Sequence, residues 1–290
     1  MNFFKKWYTY QKERFPVPVY GLYILCLTFA TFFYNTKMLE IESSVGIFIV
    51  MFVVAFLQFL MVRIIDEFKD YDEDKKYRPY RPVPRGLIKL QELRVLFVIC
   101  VLIQLILTLI VNPFSFIFLI VLWIVFILMT KGFFIKKVLD KHILLEVAFD
   151  EIMLPVMILY LASFIKIDMS ILWRLLLLSY VVSWIIEIAR KVRCKKDEEK
   201  GVKTYTAVFG IPKATILLSV LELLLTICRL ILPGVPLINW AQILLLVLFV
   251  GIIVVNMFFI QKKTRKFAKA VEYLADGLVM LTLLSTIFVI

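Results

Sequence analysis

Apolar residues in this chain gather into runs of about twenty, each closed by a short segment of charged or turn-forming residues. A run of that length crosses a bilayer as a helix, because a hydrocarbon core about 30 Å thick is spanned by about twenty residues rising 1.5 Å each. The pattern predicts spans over Val17–Tyr34, Val45–Ile65, Leu93–Val111, Phe114–Thr130, Ile143–Phe164, Ile171–Ala189, Ala214–Leu232, Trp240–Ile260 and Ala268–Ile290. Two tight connections, Asn112-Pro113 and Pro233-Gly234-Val235-Pro236, hold the turn formers expected between antiparallel helices. The fold class that follows is all-α, a polytopic integral membrane protein of about nine transmembrane helices forming one domain over residues 1–290.

Composition makes lipid the solvent. Of 290 residues, 62% are hydrophobic and 26 are Phe, and a mean hydropathy of +0.95 is too high for an ordinary soluble domain. A net charge of +12 raises nucleic acid as a partner, but the placement of the charge argues against it. Thirty of the thirty-four Lys and Arg precede the first span or lie in alternate connections, at Arg63 to Arg94, Lys131 to Lys141, Arg190 to Lys213 and Lys262 to Lys269. Only Lys37, Lys166, Arg174 and Arg229 fall elsewhere. By the positive-inside rule the N-terminus and those connections are cytoplasmic, and an odd number of spans puts the C-terminus on the opposite side. The first run lacks a small-residue cleavage site and reads as a retained helix. Cys26, Cys100, Cys194 and Cys228 have no metal-type spacing and read as packing residues, and His142 as a solvated interfacial residue.

The most informative polar segment is Arg63 to Gly86, RIIDEFKDYDEDKKYRPYRPVPRG. Asp66, Asp70 and Asp74 recur every four residues, so a helix continuing from the second span stacks them along one side. Repelling carboxylates at that spacing are unfavourable unless a cation neutralises them. The chemistry they invite is Mg²⁺ binding, with one or two carboxylates on the ion and substrate phosphate completing its shell. Lys75, Lys76, Arg78, Arg81 and Arg85 follow and can bind the phosphate oxygens left uncovered. The plain alternative is a solvated charge run at a helix end.

A second polar cluster follows the sixth span: Glu187, Arg190, Lys191, Arg193, Lys195, Lys196, Asp197, Glu198, Glu199, then Gly201, Lys203 and Thr204. Lys203-Thr204 after a glycine can contact phosphate, although G-x-K-T alone is a weak signal. A basic loop on anionic headgroups explains it equally well.

Together the two segments resemble the signatures of the UbiA superfamily of intramembrane prenyltransferases. Asp66, Glu67, Asp70 and Asp74 match the acidic positions of its first motif, with Asp66 in place of the usual asparagine, and Arg81-Pro82-Val83-Pro84-Arg85-Gly86 matches its proline-rich tail. Asp197, Gly201, Lys203 and Thr204 match the second motif, but Arg193 stands where that family usually carries another aspartate. The resemblance implies helices around a central cavity with a cytoplasmic cap, and Asp66, Asp70, Asp74 and Asp197 as catalytic, Mg²⁺-binding residues. It further implies an isoprenoid diphosphate as substrate, ionised to an allylic cation that an acceptor captures. Arg190, Lys191 and Arg193 then stand in for a second metal on the phosphate, or Glu187, Glu198 or Glu199 supplies its ligand.

Ionisable residues inside predicted spans need a partner or a cavity. Of Glu146, Asp150 and Glu151 in the fifth span, Asp150 or Glu151 is expected to face the cavity and position the acceptor or take its proton. Pairing with Arg174 or Arg229 is the alternative. Glu222 with Arg229, and Glu272 with Asp276, read as packing features. Besides a transferase with an unidentified acceptor, three functions stay open: a cyclase acting on the isoprenoid alone, a transferase to a phosphorylated sugar, and a cation or lipid transporter. The bilayer is a partner in every case.

Overall fold

The computed structural model describes residues 2–199, 202–232 and 240–288, with the side chains of 287 and 288 excepted. Among them the chain is helical and contains no strand. The helices are α1 (Phe3–Arg14), α2 (Val17–Met38), α3 (Val45–Lys69), α4 (Tyr71–Tyr77), α5 (Leu90–Val111), α6 (Ser115–Thr130), α7 (Lys136–Leu139), α8 (Ile143–Asp150), α9 (Met153–Ala162), α10 (Met169–Ala189), α11 (Tyr205–Phe209), α12 (Ile211–Leu230), α13 (Trp240–Lys262) and α14 (Arg265–Leu284). Six of them, α2, α3, α5, α10, α12 and α13, are long and apolar enough to cross a membrane. The other three expected spans take different forms. One is the shorter α6, one is divided between α8 and α9, and one falls on α14, whose first turns carry Lys266, Lys269 and Glu272.

The division of the fifth run has a local cause. Pro155 lacks the N–H that would bind the carbonyl of Glu151, so the helical ladder fails at that point. Hydroxyls from α10 approach the carbonyls left over: Tyr180 Oη donates to Ala148 O at 2.8 Å, and Ser183 Oγ to Glu151 O at 3.4 Å. A broken helix is tolerated at membrane depth when neighbouring side chains take up its backbone groups in this way. The break leaves Asp150 and Glu151 at a helix end.

α10 is the axis of the bundle and packs against α9, α12 and α14. Leu172, Leu178, Val181, Ser183, Ile185 and Glu187 are buried around most of its circumference, as expected for a helix surrounded by others. The outer helices carry rows of exposed apolar residues, such as Val98, Leu102, Ile106 and Leu109 on α5. Rows of that kind suit lipid and would be a liability in water. All four cysteines are buried and free. The first tight connection is fixed by Asn112, whose Nδ2 donates to Ser163 O at 2.9 Å; the second, with Pro233 to Pro236, lies outside the described residues.

α1 is strapped along one end of the bundle. Lys6 pairs with Glu92 at 2.6 Å, Glu13 with Arg85 at 2.9 Å and Arg14 with Glu67 at 2.5 Å. Between these ties Tyr10 packs with Ile64, Val83, Ile88 and Leu93. The proline-rich turn is thereby pinned to α1, α3 and α5. Gly86 closes it at φ +78°, a conformation that only glycine adopts without strain.

Candidate active site

The first acidic segment continues α3 as the four-residue spacing predicts. The amide of Asp70 binds Asp66 O at 2.9 Å, that of Asp74 binds Asp70 O at 2.8 Å, and that of Arg78 binds Asp74 O at 2.8 Å, across a change of helix at Asp70. The carboxylates nevertheless divide into two sets. Asp74 is buried, with Arg78 Nε at 2.9 Å, Arg81 Nη1 at 2.7 Å and Arg14 Nη2 at 3.8 Å. Glu67 is buried between Arg14 and Arg63, the latter at 2.7 Å. Asp66 keeps a loose contact with Arg63 at 3.6 Å and lies within electrostatic reach of Asp70, Arg190 and Lys69, while Asp70 forms no ion pair among the described residues.

Arg190 brings in the second segment. Glu187, buried at the end of α10, accepts from Arg190 Nε at 2.8 Å and also binds Lys191. Glu187 beside it pushes the Arg190 guanidinium further toward its charged form, and Tyr20 and Glu151 act in the same direction. Asp150 is within electrostatic reach of Lys69, Glu146, Glu187 and Asp66, and Glu151 of Glu187 and Arg190. Tyr23 faces Glu151 and Asp276. Tyr205, fully buried on α11, has its phenol pushed well above the ordinary value, by burial first and then by Glu187 and Glu151. Among the described residues its hydroxyl has no partner, and its raised pKa keeps it a protonated donor inside the cluster. Side chains of α2, α3, α8, α10, α11 and α14 thus form one polar cluster, termed the chamber, within electrostatic reach of one another at one end of an apolar bundle.

The remaining candidates point elsewhere. Lys75 is exposed, and Arg85 is occupied by Glu13 and by Tyr80 O at 2.7 Å. Arg193 Nη1 faces Glu199 at 3.5 Å, while its backbone N–H donates to Thr206 Oγ1 at 3.1 Å. Asp197 accepts from Cys194 Sγ at 3.2 Å and sits 3.6 Å from Arg265. Lys203 Nζ donates to Asp140 O at 2.9 Å. Thr204 is buried, caps α11 through the Ala207 amide at 3.0 Å and donates to Glu198 at 2.6 Å. Gly201 lies outside the described residues. Arg174 and Arg229 do not reach Asp150 or Glu151: Arg174 donates to Ser170 O at 3.1 Å, and Arg229 to Ser285 Oγ at 2.7 Å. Glu222 takes Asn256 rather than Arg229 as its partner.

Tyr20, Tyr23, Lys69, Tyr205 and Asp276 belong to the chamber and are absent from the motif-based reading. Tyr20 and Tyr23, three residues apart on one apolar span, carried a usable signal, as did Tyr205 next to Thr204. Among the described residues no three His, Cys, Asp or Glu side chains converge on a single ion position. Asp66 and Asp70 alone match what Mg²⁺ takes from protein when phosphate supplies other ligands, namely one or two carboxylates. Asp74 does not match, because arginines surround its carboxylate.

An all-helical membrane bundle with a charged chamber at one end defines the class. The sequence matches the model of the UbiA prenyltransferase family over residues 24–275, and the chain belongs to that family. Its activity class is therefore intramembrane prenyl transfer. No curated protein matches it in sequence. In fold it is similar to a structure of digeranylgeranylglyceryl phosphate synthase (TM-score 0.62, 20% identity, covering 98% of each chain). It is also similar to the apo structure of a UbiA homologue from Aeropyrum pernix K1 (TM-score 0.64, 12% identity, covering 89% of this chain and 96% of that one).

Proposed function

We propose that the chamber binds the diphosphate of an isoprenoid, ionises the allylic C–O bond and passes the prenyl group to an acceptor held beside it. The observation that carries this reading is the approach of Asp66 and Lys69 from α3, with Asp70 beside Asp66, to Glu187, Arg190 and Lys191 from α10. In this reading Asp66 and Asp70 hold Mg²⁺, which when bound neutralises diphosphate oxygens. Lys69, Arg190 and Lys191 bind the remaining oxygens and stabilise the charge that grows on the leaving group. Asp74 serves as an anchor for Arg14, Arg78 and Arg81, and so sets where Asp70 points. Arg193, Asp197, Lys203 and Thr204 build the loop that covers the chamber, and the charged end faces the cytoplasm.

In the chemical step the C–O bond breaks, with its electron pair leaving on diphosphate. The allylic carbon then bonds to the acceptor. The acceptor's displaced proton passes to Asp150 or Glu151 at the break between α8 and α9. Exclusion of water protects the cation, and the faces of Tyr20 and Tyr23 stabilise it where the chamber meets the apolar bundle.

The test is incubation of the purified protein in lipid nanodiscs with Mg²⁺, isoprenoid diphosphates of increasing length and a lipid extract, with products read by mass spectrometry. A prenylated lipid-extract component that disappears with Arg190→Ala is the expected result. A hydrocarbon or isoprenoid alcohol formed without acceptor would assign a cyclase. Cation or lipid flux without diphosphate release would sink the enzymatic reading.

A further inference from the structure

The connection between α6 and α8, residues 131–142, reads KGFFIKKVLDKH and holds four lysines against one acid, Asp140. Lys131, Lys136, Lys137 and Lys141 are all exposed, and none forms an ion pair among the described residues. Apolar side chains stand among them on the outside: Phe134 is 79% exposed, and Ile135 and Val138 are exposed as well.

The backbone brings Phe134 there at a cost. Gly132, Phe133 and Phe134 follow one another at φ +57°, +50° and +60°, the left-handed region that suits glycine and strains a bulky L-residue. Gly132 is needed for a second reason, because a Cβ there would stand 2.9 Å from the Cβ of Lys136. Phe133 gains the ring of Phe149 on α8, with 5.1 Å between centroids. Phe134, left outside, has no comparable enclosure within the protein. Strain persists where the surroundings over-determine it, and for Phe134 that points to a partner beyond the chain.

The fold indicates which partner. α6 exposes Ile117, Ile120, Val121, Ile124 and Ile127 at helical spacing, a row suited to lipid, and the row ends about one turn before Lys131. The loop therefore emerges where the lipid-facing side of the bundle meets the headgroups. An aromatic ring among lysines matches that layer, since the ring sits at the acyl boundary while the ammonium groups reach phosphates.

We propose that residues 131–141 anchor the protein to an anionic leaflet, with Phe134 inserted at the acyl boundary and Lys131, Lys136, Lys137 and Lys141 on lipid phosphates. None of these residues belongs to the chamber. Lys203 Nζ donates to Asp140 O at 2.9 Å, so the anchor also holds the second polar segment.

The full chain would carry a fluorophore on a cysteine introduced at Val138, the four native cysteines being buried. It would be placed in nanodiscs of phosphatidylcholine, with and without phosphatidylglycerol. Doxyl-labelled lipid quenches an inserted fluorophore, and acrylamide in the buffer quenches an exposed one. With phosphatidylglycerol present, doxyl lipid should quench and acrylamide should not. Lys136→Gln should move the ratio of inserted to exposed label about fivefold toward exposed, the worth of one lysine at an anionic surface. Phe134→Ser should move it at least about tenfold, the worth of one buried aromatic side chain. Both positions are exposed, and unchanged melting temperatures would show that the bundle is intact. A label at Asp72, exposed on α4, should stay open to acrylamide. Acrylamide quenching at Val138 in both lipid mixtures, or an unchanged ratio in Phe134→Ser, would overturn the anchor. So would doxyl quenching that is equal without phosphatidylglycerol, or that appears at Asp72 as well.

Discussion

Between Arg63 and Gly86 the acidic residues are sorted by burial: Glu67 and Asp74 are enclosed by Arg14, Arg63, Arg78 and Arg81, while Asp66 lies within reach of Arg190 with Asp70 beside it. Between Glu187 and Thr204 the sorting follows sequence position. Glu187, Arg190 and Lys191 at the helix end turn into the chamber, and from Arg193 onward the polar groups satisfy one another as a loop. A carboxylate surrounded by arginines has no lone pairs to spare for a cation, and its protein-side contacts are what fix neighbouring groups in place. Position in a motif therefore does not by itself tell which acid acts on substrate and which holds the others still.

The largest effect should come from breaking the facing pair. Asp70→Asn removes a carboxylate that forms no ion pair among the described residues, so the fold should tolerate it, while turnover should fall by at least ~10²-fold as leaving-group stabilisation is lost. Thermal unfolding in detergent and product formation would be measured on the same preparation. A loss of melting temperature as large as the loss of activity would erase the distinction between Asp70 and Asp74.

Asp74→Asn should show the reverse balance. Its side chain is 3% exposed, and removing one partner of a buried ionic cluster costs about 3–5 kcal/mol because the arginines are left uncompensated. Reduced melting temperature and expression are expected first. Activity loss in the surviving fraction follows from a displaced Asp70. Replacing Arg81 with Met in the Asp74→Asn background should recover part of the stability, since it removes one stranded charge.

Arg190→Ala tests the second segment where it enters the chamber. A charge-assisted contact to phosphate is worth about 1.5–3 kcal/mol. The KM for the diphosphate should therefore rise roughly ten- to a hundredfold, at about tenfold per 1.4 kcal/mol.

Much of the architecture was legible because its signals are local. Run length and apolarity locate the long helices, and a four-residue acidic repeat locates the extension of α3 beyond its apolar run. The sequence pattern did not show that Pro155 would divide the fifth run, since the break also depends on Tyr180 and Ser183 arriving from α10. Nor could it sort the aspartates. Asp74 owes its partners to Arg14, sixty residues earlier in the chain, and to a turn closed by Gly86. Tyr23 and Asp276 meet only because α2 and α14 pack together, and contacts between distant segments leave no periodicity to read.

The smallest effect is expected at Arg193, and it carries the most information about the second segment. From the motif alone, Arg193 occupies a metal-ligand position and would take over neutralisation of the diphosphate. In the fold its guanidinium lies 3.5 Å from Glu199 and 3.5 Å from the Asp197 carbonyl, on the loop and apart from Asp66, Glu151 and Glu187. That ion pair is partly exposed, a setting in which such pairs contribute about 0–1 kcal/mol. Arg193→Ala should accordingly leave the KM for diphosphate within about twofold of the parent, set against the roughly ten- to hundredfold rise at Arg190. Steady-state kinetics on both variants at one Mg²⁺ concentration would decide between the readings. A rise at Arg193 matching that at Arg190 would mean that the loop folds inward over bound substrate and that the cationic cluster acts as a unit. A flat response would confine diphosphate recognition to the helix ends and leave the rest of the second segment as their cover.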